Sequence, residues 1–284
     1  MSEGALDLDH LRQWVGRSAT QEQHLEPFAA RALAGLLDRD AAPVEGDALP
    51  LLWHWLYFLE APSRAGTGVD GHPRRGGFLP PVPLPRRMWA AGELTLHRPL
   101  RLGRNARKTS TVRSVDLKQG KAGALVFVTV AHELTQDDRA CISELQHIVY
   151  REAPTAHAPL PPGETAPTGA EWSRELAPDT PLLFRYSALT YNGHRIHYDR
   201  DYATQVEFYP GLVVHGPLLA TLLLDLAQRE RPGADIRNFS FRAMRPAFEG
   251  AALQLCGTPT TTGAELWTSD AEGFTGMKAT ATFA

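Results

Sequence analysis

Two adjoining stretches decide the fold of this chain. Residues 186–199 read Tyr-Ser-Ala-Leu-Thr-Tyr-Asn-Gly-His-Arg-Ile-His-Tyr-Asp, and residues 209–217 read Tyr-Pro-Gly-Leu-Val-Val-His-Gly-Pro. The first packs an amide, two imidazoles, a guanidinium and a carboxylate into eight positions, which is unusual for a segment that only fills a core. The second opens an apolar run at residues 218–229, and glycine followed by proline is typical of a helix start. A polar loop leading into such a helix start predicts a small-molecule site.

The rest of the second half is predicted to be strands around this helix. A strand is expected at residues 182–186, before the polar loop. Alternating apolar residues predict four more strands after the helix. They cover residues 237–244, 252–256, 264–269 and 276–283.

The first half repeats this order of helical material followed by an antiparallel sheet. Helical spacing is present at residues 8–15 and again at 20–37, and residues 53–58 predict an aromatic strand or turn. Strand patterns with turn signals between them follow. They cover residues 93–97, 107–115, 125–134 and 140–150. The two halves therefore indicate a duplicated α+β unit.

Two proline-rich segments interrupt the pattern. Residues 153–170 contain five prolines and predict an extended linker between a first unit at 1–152 and a second at 171–284. Residues 62–87 predict a long loop or lid. Glycines 66, 68 and 71 spell GxGxxG there, but no apolar strand leads in and Pro73 with Gly76 and Gly77 prevents a following helix, so the signal for a dinucleotide site is weak. A P-loop is excluded. The loop's four arginines are either solvated or clamp a phosphate. They are Arg74, Arg75, Arg86 and Arg87.

Composition limits the partners. The 284 residues carry 29 Lys plus Arg against 32 Asp plus Glu, a net charge of −3, which does not favour nucleic acid or a membrane surface as a partner. Cys141 and Cys256 have no spacing typical of zinc, and we expect both to be buried. The acidic N-terminus does not resemble a secretion signal. These features predict a cytoplasmic protein without a bound metal.

The polar stretch resembles the hydratase motif of the MaoC-like enoyl-CoA hydratases, roughly Ser/Thr-Gly-Asp-x-Asn-Pro-Leu-His-x-Asp. The motif's His matches His197, and its Asp, five residues earlier, matches Asn192. Further matches lie at residues 53–58, 76–81 and 84–89. The composite is similar to the branch that contains mesaconyl-C(4)-CoA and itaconyl-CoA hydratases and fungal-type 3-hydroxyacyl-thioester dehydratases. The resemblance implies an α+β double hotdog, in which each unit is an antiparallel sheet wrapped around a helix.

The resemblance also implies roles for residues. His197 would be the base that activates water, and Asn192, which cannot accept a proton, would hold the water. The backbone N–H of Gly216 would stabilise the charge that develops on the thioester oxygen. Either His197 both removes and redelivers the proton, or a neighbour assists it, and the candidates for that neighbour are Tyr191, His194 and Asp199. The first half would supply the acyl tunnel, giving one active site per chain.

Arg195 stands where most of the family has proline. It either pairs with a local acid such as Asp199, or it reads a free carboxylate on a branched dicarboxylic acyl group, a role that a loop arginine such as Arg86 or Arg87 could take instead. We expect the other substrate contacts to come from the neighbouring rings. These are Tyr191, His194 and His215.

The implied activity is that of a hydro-lyase acting on an acyl-CoA thioester, with CoA as part of the substrate and no separate cofactor. Mesaconyl-CoA or itaconyl-CoA would give citramalyl-CoA. Three alternatives stay open: a hotdog thioesterase, a 3-hydroxyacyl-ACP or -CoA dehydratase of fatty-acid metabolism, and a non-catalytic acyl-CoA-binding protein. The thioesterase would need a carboxylate near the helix start, and residues 210–221 contain none. A homodimer is compatible with the fold, but the sequence does not decide it, the acyl group, or the direction of the reaction.

Overall fold

The computed structural model of the protein describes residues 6–120 and 123–284. Ten strands form one antiparallel sheet in the order β1-β3-β4-β5-β2-β7-β10-β9-β8-β6. The strands of the first half are β1 (Ser18–His24), β2 (Arg86–Leu96), β3 (Asn105–Gly120), β4 (Gly123–Gln136) and β5 (Arg139–Arg151). Those of the second half are β6 (Trp172–Leu176), β7 (Ile236–Ala243), β8 (Leu253–Pro259), β9 (Gly263–Asp270) and β10 (Thr275–Phe283). The helices are α1 (Leu8–Arg12), α2 (Pro27–Leu36), α3 (Thr180–Leu189) and α4 (Gly216–Glu230).

The two halves join through the pairing of β2 with β7, at the centre of the sheet. Gly92 lies opposite Phe241 in this pair. A Cβ at residue 92 would lie 2.5 Å from the Phe241 ring, so glycine makes room for that side chain at the junction. The sheet is therefore continuous from one half to the other.

Helix α4 is the core of the second half. All ten residues from 218 to 227 are buried, including the carboxylate of Asp225. Arg39 and Arg229 pair with that carboxylate at 2.6 and 2.7 Å, which satisfies a charge that would be costly to bury alone. Because Arg39 comes from the first half, this ion pair also joins the two units.

The first half has no equally long central helix in the part that the structure describes. Leu33 of α2 shares one buried cluster with Leu94 and Leu134, at one end of the strands. At the other end, the proline-rich segment covers the sheet instead, with Val82 and Leu84 fully or almost fully buried. The space that a longer helix would fill is thus left for a loop and a cavity.

Several elements differ from the sequence predictions, including β6, which was not predicted, and β2, which begins at Arg86 inside the predicted loop. Residues 182–186 were expected to be a strand, which is wrong: they belong to α3, because Asp179 caps the helix by accepting the Leu182 N–H at 2.8 Å and Pro181 favours its first turn. The expected helix at residues 20–37 begins only at Pro27, since Ser18–His24 pairs with β3. Trp53–Leu56 is a 3-10 helix. None of the described helices is long and apolar enough to cross a membrane.

Candidate active site

A cavity of about 770 Å³ lies between the two halves, and both contribute to its wall. The second half supplies the polar loop and the start of α4, and the first half supplies parts of residues 60–89 and of β5. All the site residues predicted in the polar loop, at the helix start and at Arg86 and Arg87 line this cavity, except Arg195, Asp199 and His215. The lining members are Arg86, Arg87, Tyr191, Asn192, His194, His197 and Gly216.

His197 is held in one tautomer at the cavity wall. A 3-10 turn, Arg195–His197, directs the ring inward, and its Nδ1 lies 2.7 Å from the carbonyl oxygen of Val213. A carbonyl only accepts, so Nδ1 carries the proton and Nε2 keeps its lone pair. Burial lowers the pKa of His197 to about 4, although the hydrogen bond to Val213 opposes this shift. The ring is therefore neutral near pH 7 and able to accept a proton.

Asn192 shapes the loop with one side of its amide. Its Oδ1 accepts the N–H of His194 at 3.0 Å, and its own N–H donates to the Ser187 carbonyl at 2.8 Å. No acceptor for its Nδ2 is present within residues 6–120 and 123–284. The amide group can therefore donate a hydrogen bond from Nδ2 into the cavity. It does not ionise, so it cannot act as a general acid or base.

His215, the residue before α4, packs its ring against the ring of His197. The two rings are stacked, with centroids 3.7 Å apart, and His215 Nε2 lies 2.8 Å from Ser187 Oγ. Burial lowers the pKa of His215 well below its usual value, and the neighbouring imidazoles lower it further. Next along the chain, Gly216 lines the cavity at the N-terminus of α4, where backbone N–H groups have no partner within the helix. This helix end can stabilise an oxyanion.

Two residues of the first half that the sequence analysis gave no role lie beside His194. Asp70 Oδ2 is 3.1 Å from His72 Nδ1, and the centroids of the His72 and His194 rings are 4.1 Å apart. His194 in turn meets His197 edge-on, at 5.5 Å. Burial lowers the pKa of His194 to about 2, helped by the charges of His72 and His197. A His two residues after an Asp in a glycine-rich loop is a weak signal, and nothing in the sequence places it against residue 194.

Ligand atoms of Asp70, His72 and His194 all lie within 4.8 Å of one another, which is close enough for contact with one cation. The Asp70 carboxylate and the His72 ring are already within hydrogen-bond distance of each other. A hydrogen-bonded pair explains this geometry without an ion.

Arg195 is occupied by partners within the protein. Its Nη2 and Nε lie 2.7 and 2.9 Å from Asp199 Oδ2, and its Nη1 donates to the Val69 carbonyl at 3.1 Å. Its guanidinium also lies 4.2 Å from the ring centroid of Tyr202. These contacts favour the ion-pair alternative for Arg195. Tyr191 is 61% exposed at the rim of the cavity.

The four loop arginines do not form one clamp. Arg75 donates to the Val82 and Pro85 carbonyls, and Arg86 pairs with Glu207 at 2.6 Å. Arg74 is exposed. Arg87 lines the cavity and forms no ion pair with any described residue. Burial is the main cause that lowers the pKa of His72, and the nearby charge of Arg87 lowers it further. Of the three arginines predicted to bind substrate, Arg87 is the one left available for an anion.

Comparisons with known proteins identify the family of the chain. Residues 52–249 match the family described as hydroxyacyl-thioester dehydratase type 2. The chain is 45% identical over 269 residues to mesaconyl-C(4)-CoA hydratase of Chloroflexus aurantiacus, covering 94% of this chain and 95% of that protein. It is 28% identical over 229 residues to the mitochondrial hydroxyacyl-thioester dehydratase type 2 of Schizosaccharomyces pombe, covering 72% and 76%.

Solved structures share the fold. HtdX of Mycobacterium tuberculosis superposes with a TM-score of 0.67 at 18% identity, covering 94% of this chain and all of that one. Another M. tuberculosis protein, described as having a double hotdog fold, superposes with a TM-score of 0.56 at 13% identity, covering 100% and 99%. The predicted α+β double hotdog is thereby confirmed.

Proposed function

The chain belongs to the family of type 2 hydroxyacyl-thioester dehydratases and is a hydro-lyase; we propose that it adds water reversibly across the double bond of a branched dicarboxylic enoyl-CoA. Mesaconyl-CoA or itaconyl-CoA would then give citramalyl-CoA. One observation carries the proposal: the neutral His197, with its Nε2 lone pair free, shares a cavity with the N-terminus of α4. A base and an oxyanion donor are the two groups that addition to a conjugated thioester needs first.

The steps follow from these positions. His197 Nε2 removes a proton from water that the Asn192 amide holds, and the water oxygen bonds to the β-carbon. The electrons of the double bond move to the thioester oxygen, where the Gly216 N–H stabilises the enolate. A proton then adds to the α-carbon, and the carbonyl re-forms. Negative charge on the enolate also stabilises the imidazolium of His197, which makes this low-pKa ring a stronger base during the reaction.

Arg87 supports a substrate with a free carboxylate. It lies at the cavity without an ion pair to the described residues, whereas Arg86 and Arg195 are neutralised by Glu207 and Asp199. An unpaired guanidinium in a partly buried cavity favours a carboxylate, because the pair forms charge-assisted hydrogen bonds. The relative from C. aurantiacus, a mesaconyl-C(4)-CoA hydratase, points to the same class of acyl group.

A substrate panel tests the proposal. The protein is incubated separately with mesaconyl-CoA, itaconyl-CoA, crotonyl-CoA and crotonyl-ACP, while enoyl-thioester absorbance and free thiol are followed independently. We expect loss of absorbance without thiol release, and the highest kcat/KM for a dicarboxylic CoA thioester. A preference for crotonyl-ACP would instead support a fatty-acid dehydratase. Release of thiol would mean a thioesterase, and binding without either change would mean a binding protein.

We further propose that catalysis needs no metal and no cofactor apart from the CoA of the substrate. Dialysis against EDTA should leave kcat/KM unchanged, and a loss restored by one divalent metal would contradict this.

A cytoplasmic location and a homodimer stay proposals as well. The free, buried Cys141 and Cys256 fit a reducing compartment. Cell fractionation tests the first, and light scattering tests the second.

A further inference from the structure

The hydratase motif has an Asp and a His at its two reacting positions, and in this chain only the second position carries a group that can exchange a proton. His197 is that group, since the amide of Asn192 can hold water but cannot donate or accept a proton. Hydration needs a proton to be removed from water and another to be added to the α-carbon. The cavity contains a second candidate, Asp70 with His72, which comes from the other half of the chain.

The segment that carries this pair is docked closely on the polar loop. The backbones of Gly71 and Gly193 are so close that a Cβ at residue 71 would lie 1.8 Å from the Gly193 oxygen. Gly71 has a φ of +88°, which favours glycine independently of the contact. The Arg195 N–H also donates to the Asp70 carbonyl at 2.9 Å. Two glycines and a backbone hydrogen bond therefore fix where the first half meets the loop of His197.

The pair is oriented for proton exchange at the cavity. The Asp70 carboxylate accepts from His72 Nδ1, at 3.1 Å, so His72 Nε2 is left for a ligand. No partner for Nε2 occurs among the residues the structure describes. His194 contacts the His72 ring at 4.1 Å and the His197 ring at 5.5 Å, which keeps the two candidate groups within one polar pocket.

We propose that His72, oriented by Asp70, is the second acid–base group of the reaction and exchanges the proton at the α-carbon. This inference rests on the proposed hydratase function. His72, which lines the cavity, is assigned as the catalytic residue, and Asp70 is a positioning residue that acts through it. The first half then contributes a reacting group in addition to a wall of the acyl tunnel.

The protons balance over one turnover. In hydration, His197 Nε2 takes a proton from water as the C–O bond forms, and the imidazolium of His72 gives its Nε2 proton to the α-carbon as the enolate collapses. Dehydration runs the same transfers backwards. After hydration His197 holds the extra proton and His72 is neutral, so exchange of one proton with solvent restores the starting state.

The charges around His72 oppose each other. Asp70 stabilises its imidazolium, while Arg87 and Arg75 destabilise it, and His194 is neutral at its side. Burial is the largest influence and lowers the pKa of His72. For Asp70, burial favours the neutral acid, but the hydrogen bond and charge of His72 outweigh it and lower the pKa. The carboxylate is therefore ionised and supports the imidazolium, but the net shift lowers the pKa of His72, so the protonated ring is the minor form near neutral pH.

The first test removes the imidazole. His72→Gln should lower kcat for the best enoyl-CoA by roughly 10² to 10⁴-fold, the usual contribution of a general acid or base, with a smaller change in KM. Added imidazole should restore part of the activity. His10→Gln, at an exposed position outside the cavity, is the matched control and should behave as wild type.

The second test removes the carboxylate but keeps the shape. If protonated His72 is the acid, kcat/KM of the wild type falls as pH rises through the pKa of His72. Asp70→Asn should move this fall to lower pH, because the charge that stabilises the imidazolium is gone. A purely structural role for Asp70 would lower activity at every pH and leave the profile in place. Asp116→Asn, at an exposed strand position, is the control.

The outcomes separate the two proposals. Wild type that hydrates no enoyl-CoA would overturn both. Active wild type with His72→Gln within threefold of it would overturn the role of His72 alone. The role of His72 would also be overturned if added imidazole did not rescue His72→Gln and the pH profile of Asp70→Asn matched that of the wild type. A stoichiometric metal ion in the wild type that either variant loses would show that Asp70 and His72 are metal ligands instead.

Discussion

His197 and His215 lie with their rings stacked, 3.7 Å between centroids and 19° between planes. Two imidazolium ions at this distance would repel each other strongly in a buried site, so the stack holds at most one positive charge. Burial already favours the neutral form of both rings. Burial thus keeps the Nε2 lone pair of His197 available near neutral pH, and the stacked His215 holds the ring in place.

This arrangement predicts a loss of stability in mild acid. The pKa of His197 is about 4 in the folded protein and 6.5 in the unfolded chain, so between these values the unfolded chain binds a proton that the folded one does not. The contribution of His197 to the free energy of unfolding is therefore fully present well above pH 6.5 and decreases as the pH falls through that value, by roughly 2 kcal/mol at pH 5. Urea unfolding at pH 7.5, 6 and 5 measures this.

His197→Gln is the matched comparison for that measurement. The variant lacks the imidazole whose pKa is lowered in the folded protein. The free energy of unfolding of the variant should therefore depend less steeply on pH than that of the wild type. Equal slopes would show that His197 titrates alike in both states. The same variant should lose at least about 10²-fold in kcat/KM, because a general base is removed.

Arg87→Met predicts a change of substrate preference. If Arg87 binds the free carboxylate of the acyl group, its loss should lower kcat/KM for mesaconyl-CoA by roughly 10- to 100-fold, the value of a charged hydrogen bond of about 1.5–3 kcal/mol. Crotonyl-CoA has no such carboxylate, and its kcat/KM should change little. Parallel losses on both substrates would contradict the assignment.

Arg195→Ala is predicted to behave differently, because Arg195 is bound to Asp199 and to the Val69 carbonyl. Its removal loosens the contact between the polar loop and the segment of Asp70, so kcat/KM should fall by a similar factor on crotonyl-CoA and mesaconyl-CoA. A loss confined to mesaconyl-CoA would show that Arg195 leaves Asp199 to bind the substrate.

The sequence predicts the fold well where periodicity is strong. The apolar run after Gly216 and the alternating strands reach the correct α+β architecture. Residues 182–186 were misassigned because a short apolar run fits a strand as well as a buried helix. A helix-start signal could have corrected this assignment: Asp179 is a good N-cap, and Pro181 is typical of a first helical turn.

The sequence predicts only half of the candidate site. Spacing alone brings Asn192 and His197 together, because they lie on one loop five residues apart. Sequence spacing could not place Asp70 and His72 at that loop. Their position depends on how the proline-rich segment of the first half packs against the polar loop of the second half. The ion pair of Arg195 with Asp199 was left open, and only the observed contacts favour it.

The last prediction concerns the docking of the two halves. Gly71→Ala places a methyl group 1.8 Å from the Gly193 carbonyl oxygen, so the segment of Asp70 and His72 must move away from the polar loop. Gly76→Ala is a close control: φ is +86° against +88°, so the backbone strain of about 1 kcal/mol is shared, but its Cβ would meet only Pro81, at 3.6 Å. Displacement of catalytic groups by about 1 Å costs roughly 10²-fold in rate. We therefore expect a loss of that order in kcat for Gly71→Ala, near-normal kcat for Gly76→Ala, and a lower urea unfolding midpoint for Gly71→Ala, with kcat measured where both variants are folded. Equal kcat values would mean that the contact between Gly71 and Gly193 does not position the reacting groups.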